Sequence, residues 1–264
     1  MASVPDTSKP IPAATILLVK DDPSLKVLMV ERHADISFAG GALVFPGGKV
    51  DVHDEPASWC DHTTGLSDDP VLAASQIAVI REAFEEVGVL LARPVGADRM
   101  LSDEELAPSQ ALRGEIEQDP SRFNKLCRQN GWRLAADLLT PYAHWIAPPG
   151  LHKRFDTRFF VAKAVSQSIK PDGNEATDAK WVCPTEVMQD AREGRQKVIF
   201  PTARNLELLA LAPNAEGTIS NAKARCIEQI CPQIIERNGE RFLTIPEGLG
   251  YPVTEERLES VRRQ

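Results

Sequence analysis

The run Arg81-Glu82-Ala83-Phe84-Glu85-Glu86-Val87-Gly88 constrains this chain more than any other segment. It closes a predicted helix over residues 70–87. Asp69 offers a side-chain acceptor before a proline, which is a typical helix start, and Gly88 is a typical helix stop. At about 100° per residue, the apolar side chains line one side of this helix and the glutamates line the other.

The acidic side of the predicted helix is unfavourable as it stands. Glu82, Glu85 and Glu86 lie three and four residues apart, and like charges at that spacing cost roughly 0.2–0.5 kcal/mol per pair. The last helical turn disfavours each negative charge by roughly a further 0.3–1 kcal/mol, and Arg81 offsets only part of this. Carboxylate oxygens alone favour Mg²⁺, Ca²⁺ or Mn²⁺, so the cluster predicts a metal site. A solvated acidic surface is the alternative.

A second signal precedes the helix. Pro46-Gly47-Gly48 follows the apolar residues 42–45, which predict a short strand entering a tight loop. Paired glycines let the backbone approach a ligand closely and expose its N–H and C=O groups. Alone, this segment also fits an ordinary turn.

Together, the two segments resemble the Nudix box of the Nudix hydrolases. Arg81, Glu82, Glu85, Glu86 and Gly88 match the second half of that motif, and Gly48 matches its first glycine. The resemblance implies that Gly48 supplies a metal-ligating carbonyl and that the three glutamates bind Mg²⁺ or Mn²⁺. It also implies that Arg81 orients the middle glutamate through a bidentate contact.

The spacing within the box departs from the family pattern. Arg81 lies 33 positions after Gly48, whereas the family's box closes that distance in 14. By direct count the first glutamate of the box falls on Asp54, with Asp51 and Glu55 as alternatives. An insertion at this place resembles the branch of the mammalian peroxisomal coenzyme A diphosphatases, as do residues 143–148, 154–160, 204–207 and 251–252.

An upstream pattern bears on the substrate. The signature of coenzyme A Nudix enzymes leads into Phe-Pro-Gly-Gly, and Arg32, Gly41, Gly47 and Gly48 match it in step, while its second arginine falls on Ser37. The resemblance therefore predicts substrate contacts from these four matching residues. Arg32 also fits a plain surface charge at a strand end.

Three further residues are candidates outside the box. Arg158 is predicted to contact substrate phosphate, although it and Asp156 also fit a structural ion pair. Glu175 precedes a predicted strand, where related enzymes carry an acid that completes the metal site or acts as the base; an ordinary loop acid is the alternative. The general base is thus Glu175 or one of the three box glutamates, which with Arg81 form the predicted catalytic set.

Alternating strands and helices predict an α/β fold, an α/β/α sandwich around a mixed sheet. We expect the Nudix domain to span residues 11–211, with an insertion at 52–69 and a helical insert at about 101–140 that covers the site. Residues 212–264 are expected to form a C-terminal extension packed on the same domain.

Composition excludes several classes of protein. The net charge of −8 argues against nucleic-acid binding, and no apolar run is long enough for a membrane span. We expect a cytoplasmic enzyme that hydrolyses a small-molecule diphosphate, first of all coenzyme A or acyl-coenzyme A. NADH, ADP-ribose and nucleotide sugars are alternative substrates, and a non-catalytic nucleotide-sensing module is the alternative function. The oligomeric state is not readable from the sequence.

Overall fold

A computed structural model of the chain describes residues 9–34, 39–149 and 153–263. Ser37, the first eight residues and Gln264 lie outside these ranges, so the predictions that concern them are not addressed by the structure.

The chain alternates between strands and helices throughout its length. The strands are β1 (Ile11–Asp21), β2 (Leu25–Arg32), β3 (Leu43–Val44), β4 (Gly47–Lys49), β5 (Thr63–Thr64), β6 (Ala92–Pro94), β7 (Trp132–Ala135), β8 (Thr140–Ile146), β9 (Phe155–Lys163), β10 (Ala176–Val182), β11 (Gln229–Ile230), β12 (Gln233–Arg237), β13 (Glu240–Thr244) and β14 (Glu255–Arg257). The helices are α1 (Pro70–Val87), α2 (Asp103–Leu106), α3 (Arg113–Gln118), α4 (Ser121–Gln129), α5 (Pro184–Arg192), α6 (Phe200–Leu209), α7 (Ala215–Ala224) and α8 (Leu258–Arg263).

The main sheet is mixed, as the sequence predicts. Its strands follow the order β10-β2-β1-β9-β8-β11, with β3 added to β2 and β4 added to β1. The long central strand β1 pairs in parallel with β9 and antiparallel with β2 and β4. Because Ala14 pairs with both Arg158 and Gly48, these three residues form one row across the sheet.

Helices cover both faces of this sheet. Successive residues of a strand point to opposite faces, so Ile16 packs in one core with Phe84 of α1, whereas Leu17 packs in a second core with Phe200 of α6. The helices α5 and α7 also contribute to the second core. The α/β/α sandwich around a mixed sheet is therefore confirmed.

The predicted helical insert is only partly helical. Helices α2, α3 and α4 occupy residues 103–129, but β7 follows them and pairs with β6 and with β5, which belongs to the insertion at 52–69. The two insertions thus share a small sheet. Phe123 of α4 packs against Trp59 of the first insertion and Phe84 of α1, and turns of the first insertion also contact α1, so both insertions pack on this helix. The predicted range of about 101–140 therefore also includes β7, whose pairing with β5 and β6 is non-local.

The C-terminal segment, residues 212–263, packs against the main sheet. Helix α7 contacts β8 and β9, and β11 joins the main sheet parallel to β8. Strands β12, β13 and β14 form a separate three-stranded sheet. Within the described ranges, every helix is too short or too polar to cross a lipid bilayer.

Candidate metal and diphosphate site

Helix α1 has the bounds that its caps predict. The side chain of Asp69 accepts hydrogen bonds from the backbone N–H groups of Val71 and Leu72 at 2.8 and 3.2 Å, and Gly88 ends the helix with a left-handed φ of 72°. Its acidic side is not a solvated surface, because Glu85 and Glu86 are only 6% and 5% exposed. That alternative was therefore wrong.

Arg81 connects four other residues of the site through hydrogen bonds. Its guanidinium donates to both carboxylate oxygens of Asp54 at 3.0 and 2.9 Å, to Glu82 Oε1 at 2.9 Å and to Glu85 Oε1 at 3.0 Å. A further bond reaches the carbonyl oxygen of Lys49 at 2.9 Å. The predicted bidentate contact to Glu85 was therefore wrong, because Asp54 takes it and Glu85 receives a single bond.

The structure distinguishes the three candidates for the first acid of the box. Asp54 is 1% exposed and bonded to Arg81. Asp51 instead caps the short 3-10 turn that carries Asp54, and Glu55 is exposed to solvent. An aspartate therefore stands at the position that directly contacts the box arginine.

The two glycines close the other side of the cluster as part of β4 rather than as a loop. Gly47 N donates to Glu86 Oε2 at 2.9 Å. A Cβ atom built on Gly48 would lie 2.4 Å from the carboxylate of Glu82, so a larger residue at this position would displace that carboxylate. Because Gly48 pairs with Ala14 of β1, the main sheet fixes its distance from α1.

Burial disfavours the charged form of all three glutamates. It raises the pKa of Glu82 to about 8 and that of Glu85 to about 7, and Arg81 opposes both shifts without cancelling them. Burial also raises the pKa of Glu86 well above its usual value, and the charge of Glu82 raises it further. The site thus holds more carboxyl groups than its own cations can keep ionised.

The chemistry of these donors fits a hard divalent cation. Among the described residues, Glu82, Glu85 and Glu86 each engage one carboxylate oxygen with Arg81 or with Gly47, and the second oxygen accepts no hydrogen bond. No three His, Cys, Asp or Glu side chains within the described ranges form a complete metal-ligand group as they stand. We attribute this to Arg81, which holds Glu82 and Glu85 by one oxygen each.

Arg32 and Glu175 lie together at the edge of the cluster. Arg32 Nη2 is 3.3 Å from Glu175 Oε2, and Arg32 Nε has no hydrogen-bond partner among the described residues. Burial has the largest effect on the pKa of Glu86. The charge of Arg32 lowers this pKa and the charge of Glu175 raises it, which places both side chains near the Glu86 carboxylate. Gly41 donates its N–H to the carbonyl of Arg32 at 3.0 Å and has a left-handed φ of 71°, so it forms the turn beside Arg32.

Arg158 lies on the same sheet face as Gly48. Adjacent strands are about 4.8 Å apart, so the row that joins them through Ala14 puts their Cα atoms about 10 Å apart. Asp156 Oδ1 lies 3.7 Å from Arg158 Nη1 and 2.5 Å from His144 Nε2. The sequence left His144 without a role; its pairing opposite Arg158 in β8 and β9 becomes visible only in the sheet register.

Arg113 was also missed from the sequence. It lies in α3, is 7% exposed and donates twice to the backbone carbonyl of Glu85. No local signal identifies it, because the two residues are 28 positions apart.

Comparison with known proteins agrees with this geometry. The family model described as NUDT19 Nudix domain matches residues 62–207 of the 264 in the chain. The chain is 26% identical over 227 residues to the acyl-coenzyme A diphosphatase NUDT19 of Xenopus laevis, covering 70% of this chain and 59% of that protein. It is 28% identical over 233 residues to the putative nudix hydrolase 7 of Caenorhabditis elegans, covering 88% and 70% respectively.

A solved structure supports the same relationship. The crystal structure of a NUDIX hydrolase from Alicyclobacillus acidocaldarius superposes with a TM-score of 0.68 at 26% identity, covering 81% of this chain and 97% of that one. The family match spans more than half of the chain, and it includes α1 with all three box glutamates. The chain therefore belongs to the Nudix hydrolase family, with the NUDT19 Nudix domain as its matching family model.

Proposed function

We propose that this protein is a divalent-metal-dependent hydrolase that cleaves a diphosphate linkage with water. One observation carries the proposal: Glu82 and Glu85 share Arg81 with Asp54, Glu86 accepts from Gly47 N, and each of the three glutamates keeps one oxygen without a hydrogen bond among the described residues. A solvent-exposed acidic patch would need no such arrangement. A cation that neutralises the cluster would remove the cost of burying it.

Glu82, Glu85, Glu86 and the carbonyl of Gly48 are the proposed ligands of Mg²⁺ or Mn²⁺. Such an ion supplies charge neutralisation at the phosphate oxygens and lowers the pKa of a bound water. Arg81 keeps the carboxylates of Glu82 and Glu85 in place, and Gly47 N keeps that of Glu86 in place.

The remaining candidates surround this cluster. Glu175 is the proposed proton acceptor, because it lies near Glu86 and is half-exposed, so that it can reach a water molecule. Arg32 and Arg158 are the proposed phosphate contacts. Among the described residues, the buried Nε atom of Arg32 has no hydrogen-bond partner, and Arg158 lies in the row of Gly48 with Asp156 and His144 beside it.

We propose coenzyme A or an acyl-coenzyme A as the substrate, cleaved to adenosine 3′,5′-bisphosphate and (acyl-)4′-phosphopantetheine. Two considerations favour it: the relative in Xenopus laevis is named an acyl-coenzyme A diphosphatase, and Arg32, Gly41, Gly47 and Gly48 match the upstream signature. The chain spans 59% of the length of that relative, so its activity enters here only by similarity. A cytoplasmic location stays a prediction from the sequence.

Product analysis tests the proposal. The purified protein is incubated with Mg²⁺ or Mn²⁺ and, in separate reactions, acetyl-coenzyme A, NADH and ADP-ribose, and products are identified by mass spectrometry. We expect metal-dependent release of adenosine 3′,5′-bisphosphate from acetyl-coenzyme A. The variant Glu85→Gln should abolish it, whereas Glu55→Gln, which changes an exposed acid of the insertion, should not.

Two results would contradict this assignment at different levels. Faster cleavage of NADH or ADP-ribose than of acetyl-coenzyme A would overturn the substrate but keep the hydrolase. Tight binding of these compounds without turnover under every metal condition would favour a nucleotide-sensing module instead.

A further inference from the structure

The C-terminal end of α1 is closed by donors from two other segments. The last carbonyls of a helix lack partners within the helix and need them from elsewhere. Among the described residues, those donors and acceptors pair as follows: Arg113 Nε and Nη2 with Glu85 O at 2.9 and 2.7 Å, Asp172 N with Glu86 O at 3.0 Å, Lys170 N with Val87 O at 2.9 Å, and Gln110 Nε2 with Gly88 O at 3.0 Å.

Arg113 is the charged donor in this set, and it binds a residue of the acidic cluster. Its side chain is buried, which lowers its pKa, while Asp172, Glu85 and Glu86 act against that shift. The negative end of a helix dipole favours a cation at this place. A buried guanidinium is costly unless it is paired; here its hydrogen bonds to the helix end and the negative charges of the nearby acids offset that cost.

Glu85 is therefore held at two points. Arg81 binds its carboxylate, and Arg113 binds its backbone carbonyl through two N–H bonds that converge on the one oxygen. A planar guanidinium that donates twice to one group fixes orientation as well as distance. Because Arg113 begins α3, this contact fixes the second insertion to the residue that carries a proposed metal ligand.

We propose that Arg113 is a positioning residue of the metal site, through which the insertion sets the backbone of Glu85 before a cation binds. This inference rests on the proposed function, since it assumes that the glutamates of α1 take a divalent ion. It gives the insertion a role in forming the site, beyond that of a cover over it.

The affinity for a divalent cation distinguishes a positioning role of Arg113 from an effect of its charge. Removal of a nearby positive charge alone would strengthen cation binding, so weaker binding by Arg113→Met reports lost positioning. Arg113→Lys keeps the charge but not the two-bond geometry. Gln110→Ala is the matched control. It removes the neighbouring side-chain bond to Gly88 O at the same helix end and the 3.4 Å bond that Gln110 Oε1 accepts from Arg113 Nη1, but it leaves both Arg113 bonds to Glu85 O.

Calorimetric titration of the metal-free proteins with Mn²⁺ measures this directly. We expect Arg113→Met and Arg113→Lys each to bind Mn²⁺ about 10-fold more weakly, the lower bound for loss of a residue that orients a metal ligand, with kcat reduced and KM unchanged. Gln110→Ala should lower the melting temperature and leave the Mn²⁺ affinity intact. If Arg113→Met does not fold, Arg113→Lys carries the test.

Two results would overturn the inference: unchanged or tighter Mn²⁺ binding by a folded Arg113 variant, or equal weakening by Gln110→Ala. Absence of Mn²⁺ binding by the unmodified protein would overturn it together with the proposed metal site. If the unmodified protein binds Mn²⁺ but hydrolyses no diphosphate, only the proposed function fails, because the comparison of affinities needs no turnover.

Discussion

Two helices on opposite faces of the main sheet bury arginine and glutamate together, with different results. In α1, Arg81 donates to Asp54, Glu82 and Glu85. In α6, Arg204 donates through one nitrogen to Glu207 at 3.0 Å and to Glu256 at 3.2 Å, while its Nε and Nη1 atoms have no hydrogen-bond partner within the described ranges.

The difference lies in what each cluster leaves unsatisfied. The α1 cluster leaves acceptors, since its acids outnumber its cations and the pKa values of its glutamates are raised. The α6 cluster leaves donors on Arg204 and Asn205 as well as an acceptor on Glu207. Ordered water can bind unpaired donors and acceptors that lie together, as in the α6 cluster. A surplus of carboxylate oxygens, as in the α1 cluster, favours a bound cation. Burial of charged side chains alone therefore does not identify a metal site. An excess of unpaired acceptors over donors does.

The largest effect should follow from neutralising the box acids. Glu85→Gln and Glu86→Gln should each lower kcat more than about 100-fold, because loss of a partner that only orients a metal ligand already costs 10- to 100-fold. Glu207→Gln should leave kcat unchanged, since it lies on the other sheet face. Steady-state rates with circular dichroism of each variant provide the check, and a comparable loss of kcat in folded Glu207→Gln would break the comparison.

The arginines provide the next contrast. Arg81→Met and Arg204→Met each leave buried carboxylates without their cation, so each should lower the free energy of unfolding by about 3–5 kcal/mol in metal-free buffer. Mg²⁺ should restore part of that loss in Arg81→Met only, because a ligand that binds the folded state stabilises it. Urea unfolding with and without Mg²⁺ measures this, and equal rescue of both variants would contradict the assignment.

A smaller effect concerns pH. Folding raises the pKa of Glu82 to about 8 and of Glu85 to about 7 from a usual 4.5, so the folded protein retains protons that the unfolded chain releases. Their contribution to stability is present in full below about pH 4.5 and is lost as the pH rises through 7 and 8. Thermal melts of the metal-free protein should show this decline, and Glu82→Gln should flatten it.

Metal sharpens the same measurement. Mg²⁺ should raise the melting temperature more at pH 8 than at pH 5.5, because protons compete for the same carboxylates. The α6 cluster is not expected to contribute to this difference. Burial raises the pKa of Glu207 as well, but that cluster has no surplus of acceptors that a cation would bind. If Mg²⁺ stabilised the protein equally at both pH values, the acids of α1 would not be its ligands.

Local features of the site were readable from the sequence. The bounds of α1 follow from Asp69, Pro70 and Gly88, which are adjacent to the helix they delimit. The burial of its acidic face was not readable, because the covering elements belong to two insertions that meet through the non-local pairing of β5, β6 and β7 and the packing of Trp59 against Phe123.

Partners distant in sequence had to be observed. Asp54 reaches Arg81 from 27 positions away, so a count along the motif left Asp51 and Glu55 open. Arg113 and His144 carried no motif at all, since helix packing defines the role of one and strand register defines that of the other. Sequence thus predicted the chemistry of the cluster, and only the fold identified which residues hold it together.

Calorimetric titration of the metal-free protein with Mg²⁺ and Mn²⁺ at pH 7, repeated in buffers of different ionisation enthalpy, tests the central claim most directly. We predict saturable binding that releases protons, because burial keeps protons on Glu82 and Glu85 until a cation displaces them. Loss of that binding in the double variant Glu82→Gln/Glu86→Gln would complete the result. No uptake of either ion, or uptake that persists in the double variant, would contradict it.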